Sequence, residues 1–199
     1  NANILNSELG ESIDVQLTLE IKALAASLHN NSTEIYAWVH NNIRFIPSYG
    51  SIQGAQYTLE AKQGNAIDTA SLLIALLRAA NIPARYAYGT VDMPIDQVMN
   101  WVGGVTSPQA AQSLLSQGSV PNKMININGE FKLFRMEHVW VEAWVNYLPG
   151  RGTKSSQGDT WIPMDASFKQ HEFTQGMTLK ESVPFDSQAL VSTIQAKAI

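Results

Sequence analysis

QGNAIDTASLLIALLRAANIPARYAYG, residues 63–89, is the stretch that decides how the whole chain is read. Asn65 is a good helix N-cap, and Asp68, three residues on, sits where the acid of a capping box belongs. Ala66, Ile67, Ala70, Leu73, Ile74, Leu76, Leu77 and Ala80 make residues 65–80 apolar on nearly every face. A helix of that kind is normally buried inside its domain. Asn81 is suited to its C-terminal end, and Pro83 prevents continuation. The aromatic-rich run ARYAYGTV, residues 84–91, then reads as a strand.

The same reading extends in both directions. Upstream, residues 15–29 carry Leu17, Ile21, Leu24, Ala25 and Leu28 at helical spacing. Ser32 is placed to cap a second helix containing Ile35, Tyr36, Trp38 and Val39. A short β-rich run, 43–46, is closed by Pro47, and 49–56 reads as a loop followed by a turn ending at Gly64. Downstream, residues 139–147 (VWVEAWVNY) alternate Val139, Val141, Ala143 and Val145 against Trp140, Glu142, Trp144 and Asn146, and TWIPM (160–164) is a further strand. Helices first and strands later predict an α+β domain in which a buried central helix packs on an antiparallel sheet. Residues 92–136 read as an insertion with helices at 95–101 and 108–115 and a hairpin at Asn128-Gly129. It joins the strand after the buried helix to the next strand, so it is expected to border or cover any cleft between them. The domain is placed at 1–175, and 176–199 reads as an extension or linker.

Composition narrows the function classes. The 199 residues are 45% apolar and 15% charged, enough for a core. The net charge is −4 with no dense basic cluster, which disfavours nucleic acid or an anionic membrane as main partner. Cysteine is absent, so disulfides and thiolate metal sites are excluded. No apolar run is long enough to span a bilayer. The polar start NANILNSELG lacks the order of a signal peptide and is expected to be a cut inside a longer polypeptide.

Three segments taken together resemble the transglutaminase-like superfamily, with its papain-like Cys-His-Asp fold. They are residues 63–89, EHVWVEAWV (137–145) and DTWIPMDASF (159–168). The family reads roughly G-x-C-x-D-x-A followed by an apolar helix and R-x-x-G-I-P-A-R, then H-x-W-x-E, then W-x-x-x-D, in the order found here. The resemblance puts the nucleophile position at Ala66, the general base at His138 and the residue that orients the imidazole at Asp165. Asn65, Asp68, Trp140 and Glu142 fall in the cleft or its support. It also implies a protein or peptide ligand containing Gln or another amide, no cofactor, and an extracellular, surface or periplasmic setting. The run 64–91 is similar to domains found beside YD/Rhs-type repeats in large bacterial proteins, members of which often lack the Cys while keeping the following Asp.

The chemistry of such a site can be stated without the family. A thiol at the first turn of a buried helix is stabilised as thiolate by the helix dipole and a nearby imidazolium. A strand His acts as base and then acid, and a carboxylate fixes its tautomer. The methyl of Ala66 has no lone pair to attack a carbonyl. Thr69 and Ser71 lie too far along the helix to replace it, and helix packing or back-bonding is the plainer account of both. Trp140 and Trp144, on one face with Glu142, pack or line the cleft. His40, His138, Glu142 and His171 lack metal-ligand spacing, and Glu137 with Glu142 gives no basis for a glycosidic carboxylate pair. Arg78 and Arg85 read as ion-pair or surface residues. The expected function is a catalytically silent peptide-binding or scaffolding module. The alternative is an active cysteine protease, amidase or protein-glutamine acyl transferase whose Cys was exchanged for Ala.

Overall fold

The computed structural model describes residues 6–146, 158–183 and 185–197. A 3-10 turn at Asn6–Glu8 precedes α1 (Leu19–Ser27) and α2 (Ser32–Asn42). Helix α1 starts later than the apolar spacing predicts, because the Thr18 hydroxyl accepts from the N–H of Ile21 and fixes the start there. Helix α2 is capped by Asn31, whose side-chain oxygen accepts from Thr33 and Glu34, so Ser32 is its first residue and not its cap. Two short strands, β1 (Arg44–Phe45) and β2 (Gln63–Gly64), pair in parallel. Between them lies α3 (Gly54–Ala61), where the sequence suggested only loop and turn.

Helix α4 (Ala66–Ala79) matches its prediction. Asn65 caps it by accepting from the N–H of Asp68 at 2.8 Å. The chain leaves α4 through Asn81 in the left-handed region, φ 60°. Leu72, Leu73, Ile74, Leu76 and Leu77 are wholly buried. At about 1.5–3 kcal/mol for each such side chain removed from water, α4 contributes more apolar burial than the other helices. Helices α1, α2 and α3 pack around it on one side and the sheet on the other.

After α4 come β3 (Ala84–Pro94), α5 (Ile95–Trp101), α6 (Pro108–Gln117), β4 (Asn122–Ile127), β5 (Glu130–Val145) and β6 (Thr160–Met164). The expected hairpin joins β4 to β5, with Asn128 and Gly129 both at positive φ, as a tight two-residue turn requires. The long strand β5 is antiparallel to all its neighbours. Strand β3 runs along one edge, from Ala84 opposite Ala143 to Pro94 opposite Leu133. The other edge is shared: β4 covers it up to Met136, and β6 begins at Val141. Residues 137–140 of that edge are left without a partner strand. The predicted strand 139–147 is the end of β5, which stops at Val145 with Asn146 outside it, and Tyr147 lies outside the described residues.

Strand β5 serves two cores. Phe134, Met136 and His138 are buried on one parity; Val139, Val141 and Ala143 are buried on the other. Because side chains alternate across a strand, the buried face switches between 138 and 139. The first set packs with Ile95, Val98, Trp101, Ala111 and Leu115 of α5 and α6. The second packs on α4. His138 therefore stands where the two cores meet. Beyond β6, α7 (Leu179–Ser182) and α8 (Ser187–Lys197) follow, and α8 buries no residue.

Candidate functional site

His138 of β5 and the start of α4 share the lining of one pocket. Ala66, Ile67, His138 and Val139 line one pocket of about 20 Å3, closed by Phe45, Trp101, Leu115, Val120 and Met136. That is room for about one water. Of residues 92–136, Trp101, Leu115, Val120 and Met136 line this pocket.

His138 is 7% exposed, and its Nε2 lies 2.7 Å from Asp165 Oδ2. Its Nδ1 makes no hydrogen bond to a described residue. Trp101 meets the ring edge-on at 5.5 Å, and Trp140 lies nearly parallel to it at 6.5 Å. Asp165 Oδ1 accepts from the hydroxyl and N–H of Ser167 and from the N–H of Phe168, so both carboxylate oxygens are engaged. Burial by itself would raise the pKa of Asp165. The hydrogen bond and charge of His138, with the Ser167 bonds, outweigh it and hold the carboxyl below its usual value.

A pH dependence follows from that direction. The native pKa of Asp165 is below the unfolded value of about 3.9. Its contribution to stability is therefore complete above about pH 4 and lost as pH falls through the native pKa. Asp165→Asn is expected to lower the urea midpoint at pH 7 and to converge on the parent protein as pH falls through the native pKa of Asp165. A gap that persists unchanged at acid pH would contradict this.

The remaining sequence-predicted residues divide. Asn65 caps α4 and also donates through Nδ2 to Gly50 O at 2.7 Å. Asp68 does not complete a capping box. Its Oδ1 instead accepts from the N–H groups of Ile52, Gln53 and Gly54 at 3.0, 3.0 and 3.2 Å, holding the loop in front of α3. Trp140 borders an open, apolar pocket of about 330 Å3 that also reaches His138 and Asp165. Glu142 does not reach the cleft: the guanidinium of Arg85 takes it at 2.8 Å, across the strands, while stacking on Trp161. Arg78 donates to Ala84 O and Gly10 O. Ser71 donates to Ile67 O and meets Tyr86 Oη at 2.8 Å. The Thr69 hydroxyl is buried with no hydrogen-bond partner among the described residues. Among the described residues no group of three or more His, Asp or Glu is placed to hold a metal, and no helix is long and apolar enough to cross a membrane.

Several residues at the pocket mouth had no sequence signal. Tyr49 Oη donates to Glu137 Oε2 at 2.8 Å and lies 3.3 Å from Tyr88 Oη. Hydrogen bonds from Tyr88 and Tyr49 hold the Glu137 carboxyl below its usual range. The Tyr49 N–H donates to Gly118 O at 2.9 Å. A Cβ at Gly118 would overlap the Pro47 carbonyl, so the 47–50 loop can lie on residue 118 only because it is glycine. The loop and the 92–136 segment together close the pocket from outside.

The transglutaminase-like superfamily profile matches residues 16–166. No curated protein matches the chain. Among solved structures, a protein from Cytophaga hutchinsonii described as a candidate cysteine protease is similar over 84% of this chain and 43% of its own, with 22% identity and a TM-score of 0.47. The periplasmic domain of TgpA from Pseudomonas aeruginosa is similar over 81% and 46%, with 19% identity and a TM-score of 0.42. The chain spans less than half the length of either structure.

Proposed function

Because the chain belongs to the transglutaminase-like superfamily, we propose that its site at Ala66, His138 and Asp165 is a silent form of the family's acyl-transfer site and that the domain serves as a peptide-binding or scaffolding module. The observation that carries this reading is a maintained His138–Asp165 pair beside a pocket whose helix-start residue is alanine. The imidazole keeps its orienting carboxylate, and Nδ1 is left for whatever enters the pocket. Residue 66 itself forms no covalent intermediate, since its side chain is a methyl group. The N–H groups of the first turn of α4 and the helix dipole still favour a carbonyl oxygen or carboxylate. The ligand class this suits is a polypeptide presenting an amide. A role within a larger bacterial surface or periplasmic protein, beside YD/Rhs-type repeats, is part of the same proposal and rests on the sequence resemblance.

A second reading has one observation in its favour. The space beside Ala66, about 20 Å3, is the size of one added heavy atom. A cysteine there would fill it, as in an active protease, amidase or glutamine acyl transferase whose nucleophile was exchanged. Ala66→Cys separates the two. The silent reading expects a thiol that reacts slowly with iodoacetamide and does not hydrolyse a Gln-containing peptide. A fast, His138-dependent thiol with turnover would establish the second reading instead.

A further inference from the structure

Trp101 ends α5, inside the 92–136 segment, and is 4% exposed. Its ring stacks on Phe45 with centroids 4.3 Å apart and meets the rings of Phe168 and His138 edge-on at 5.3 and 5.5 Å. Those contacts fix the plane of the indole. They thereby fix the direction of its one polar group, since an indole has a single N–H donor and no acceptor. That N–H donates to Ser167 O at 2.7 Å, and Ser167 is itself 2% exposed.

The bond acts across one peptide unit. The carbonyl of Ser167 and the N–H of Phe168 belong to the same planar trans group and point in opposite directions. The Phe168 N–H donates to Asp165 Oδ1 at 3.2 Å, the longest of the three bonds on that oxygen. Turning this peptide plane would break the bond to the indole and the bond to the carboxylate together. A continuous chain results: Trp101 Nε1 to Ser167 O, Phe168 N to Asp165 Oδ1, and Asp165 Oδ2 to His138 Nε2. Bonds arranged in this way polarise one another, so a donor on the carbonyl makes the amide a better donor to the carboxylate.

Helix α2 holds the ends of the same turn. Tyr36 Oη donates to Asp165 O, and His40 Nε2 meets Phe168 O, each at 3.2 Å. Neither engages the peptide between Ser167 and Phe168. That middle peptide is gripped from the inserted segment, by a residue that lies 66 positions away in the chain.

We propose that Trp101 is a positioning residue for the His138–Asp165 pair. Its indole N–H sets the Ser167–Phe168 peptide, the peptide holds the Asp165 carboxylate, and the carboxylate keeps the imidazole in its Nε2–H form with Nδ1 as an acceptor. The inserted segment therefore completes the pair as well as closing the pocket beside it. The proposal rests on the reading of this pair as the maintained part of the site, and it names the residue on which the pair depends.

The test reads the His138 tautomer by 15N–1H correlation of the ring in the 199-residue protein, at alkaline pH where histidine rings are neutral. The parent protein is expected to show the Nε2–H form. Trp101→Phe keeps a ring against Phe45 and His138 but removes the donor, leaving a buried carbonyl unsatisfied. It is expected to bring in the Nδ1–H form and to speed hydrogen exchange of the Phe168 amide at least about tenfold, the loss of roughly one hydrogen bond. Benzothienylalanine introduced at position 101 keeps the size of the indole without its N–H, and is expected to do the same even if the Phe variant fails to fold. Phe45→Leu removes the stacking partner and no hydrogen bond, so it should lower the urea midpoint and leave the tautomer alone. A tautomer and a Phe168 exchange rate unchanged by loss of the indole N–H, or a tautomer lost equally in Phe45→Leu, would overturn the proposal while leaving the site reading in place. A parent protein without the Nε2–H form would overturn both.

Discussion

Asp68→Ala is expected to cost about 3–5 kcal/mol of folding stability, because one buried carboxylate oxygen that satisfies three backbone N–H groups disappears at once. Asp68 is 2% exposed, so water cannot easily replace it. The three donors belong to Ile52, Gln53 and Gly54, and Gly54 opens α3. That helix has no side-chain N-cap of its own, which leaves the carboxylate of another helix to hold its entrance. The alanine variant should lose protection at α3 first in hydrogen exchange. Asp68→Asn keeps a carbonyl oxygen in the Oδ1 position and should cost only about 1–2 kcal/mol, the loss of charge assistance. Equal losses for the two variants in urea unfolding would show that the three accepted bonds are not what residue 68 contributes.

The second large effect concerns chemistry. In a competent triad, exchange of the nucleophile changes turnover by several powers of ten. Restoring it by Ala66→Cys should then raise amide hydrolysis about 10^4-fold if the rest of the site is ready. The proposed silent site predicts less than about tenfold, within reach of binding effects alone. Labelling by iodoacetamide should be slow and nearly unchanged by His138→Gln, because closure by Phe45, Trp101 and Met136 limits access before thiolate formation does. Tyr49→Phe removes the donor to Glu137 and should speed labelling several-fold. A rate that follows a thiol titration well below the ordinary value of about 8.5, and that collapses in His138→Gln, would restore the enzyme reading.

What the sequence discloses and what it hides have separate physical causes. Helix α4 is legible because its apolar residues cover every face and its cap is local, three residues from the N–H it binds. The β4–β5 hairpin and α5 are legible for the same reason, since their signals lie within the element. Helix α3 is hidden because the group that holds its start is fourteen residues away, on α4. The meeting of His138 with Asp165 was readable only through the ordered motifs of a family, as no local pattern joins residues 27 apart. Glu142 shares the motif of His138 yet pairs with Arg85, because the partner strand sets an outward-facing residue's neighbour. Trp101 and Tyr49 escaped altogether: each is placed by long-range packing around a pocket that exists only in the folded chain.

The two-core strand also bears on how the protein unfolds. Phe134 and Met136 belong to one hydrophobic cluster and Val139, Val141 and Ala143 to the other, so a disturbance of either reaches the imidazole through the backbone of a single strand. Melting of the α5–α6 layer alone would strip His138 of Trp101 while Val139, Val141 and Ala143 stayed anchored on α4. The histidine is thus a reporter mounted at a seam: its resonance should sense loosening of the outer layer in conditions where the far-ultraviolet signal of α4 has not yet changed.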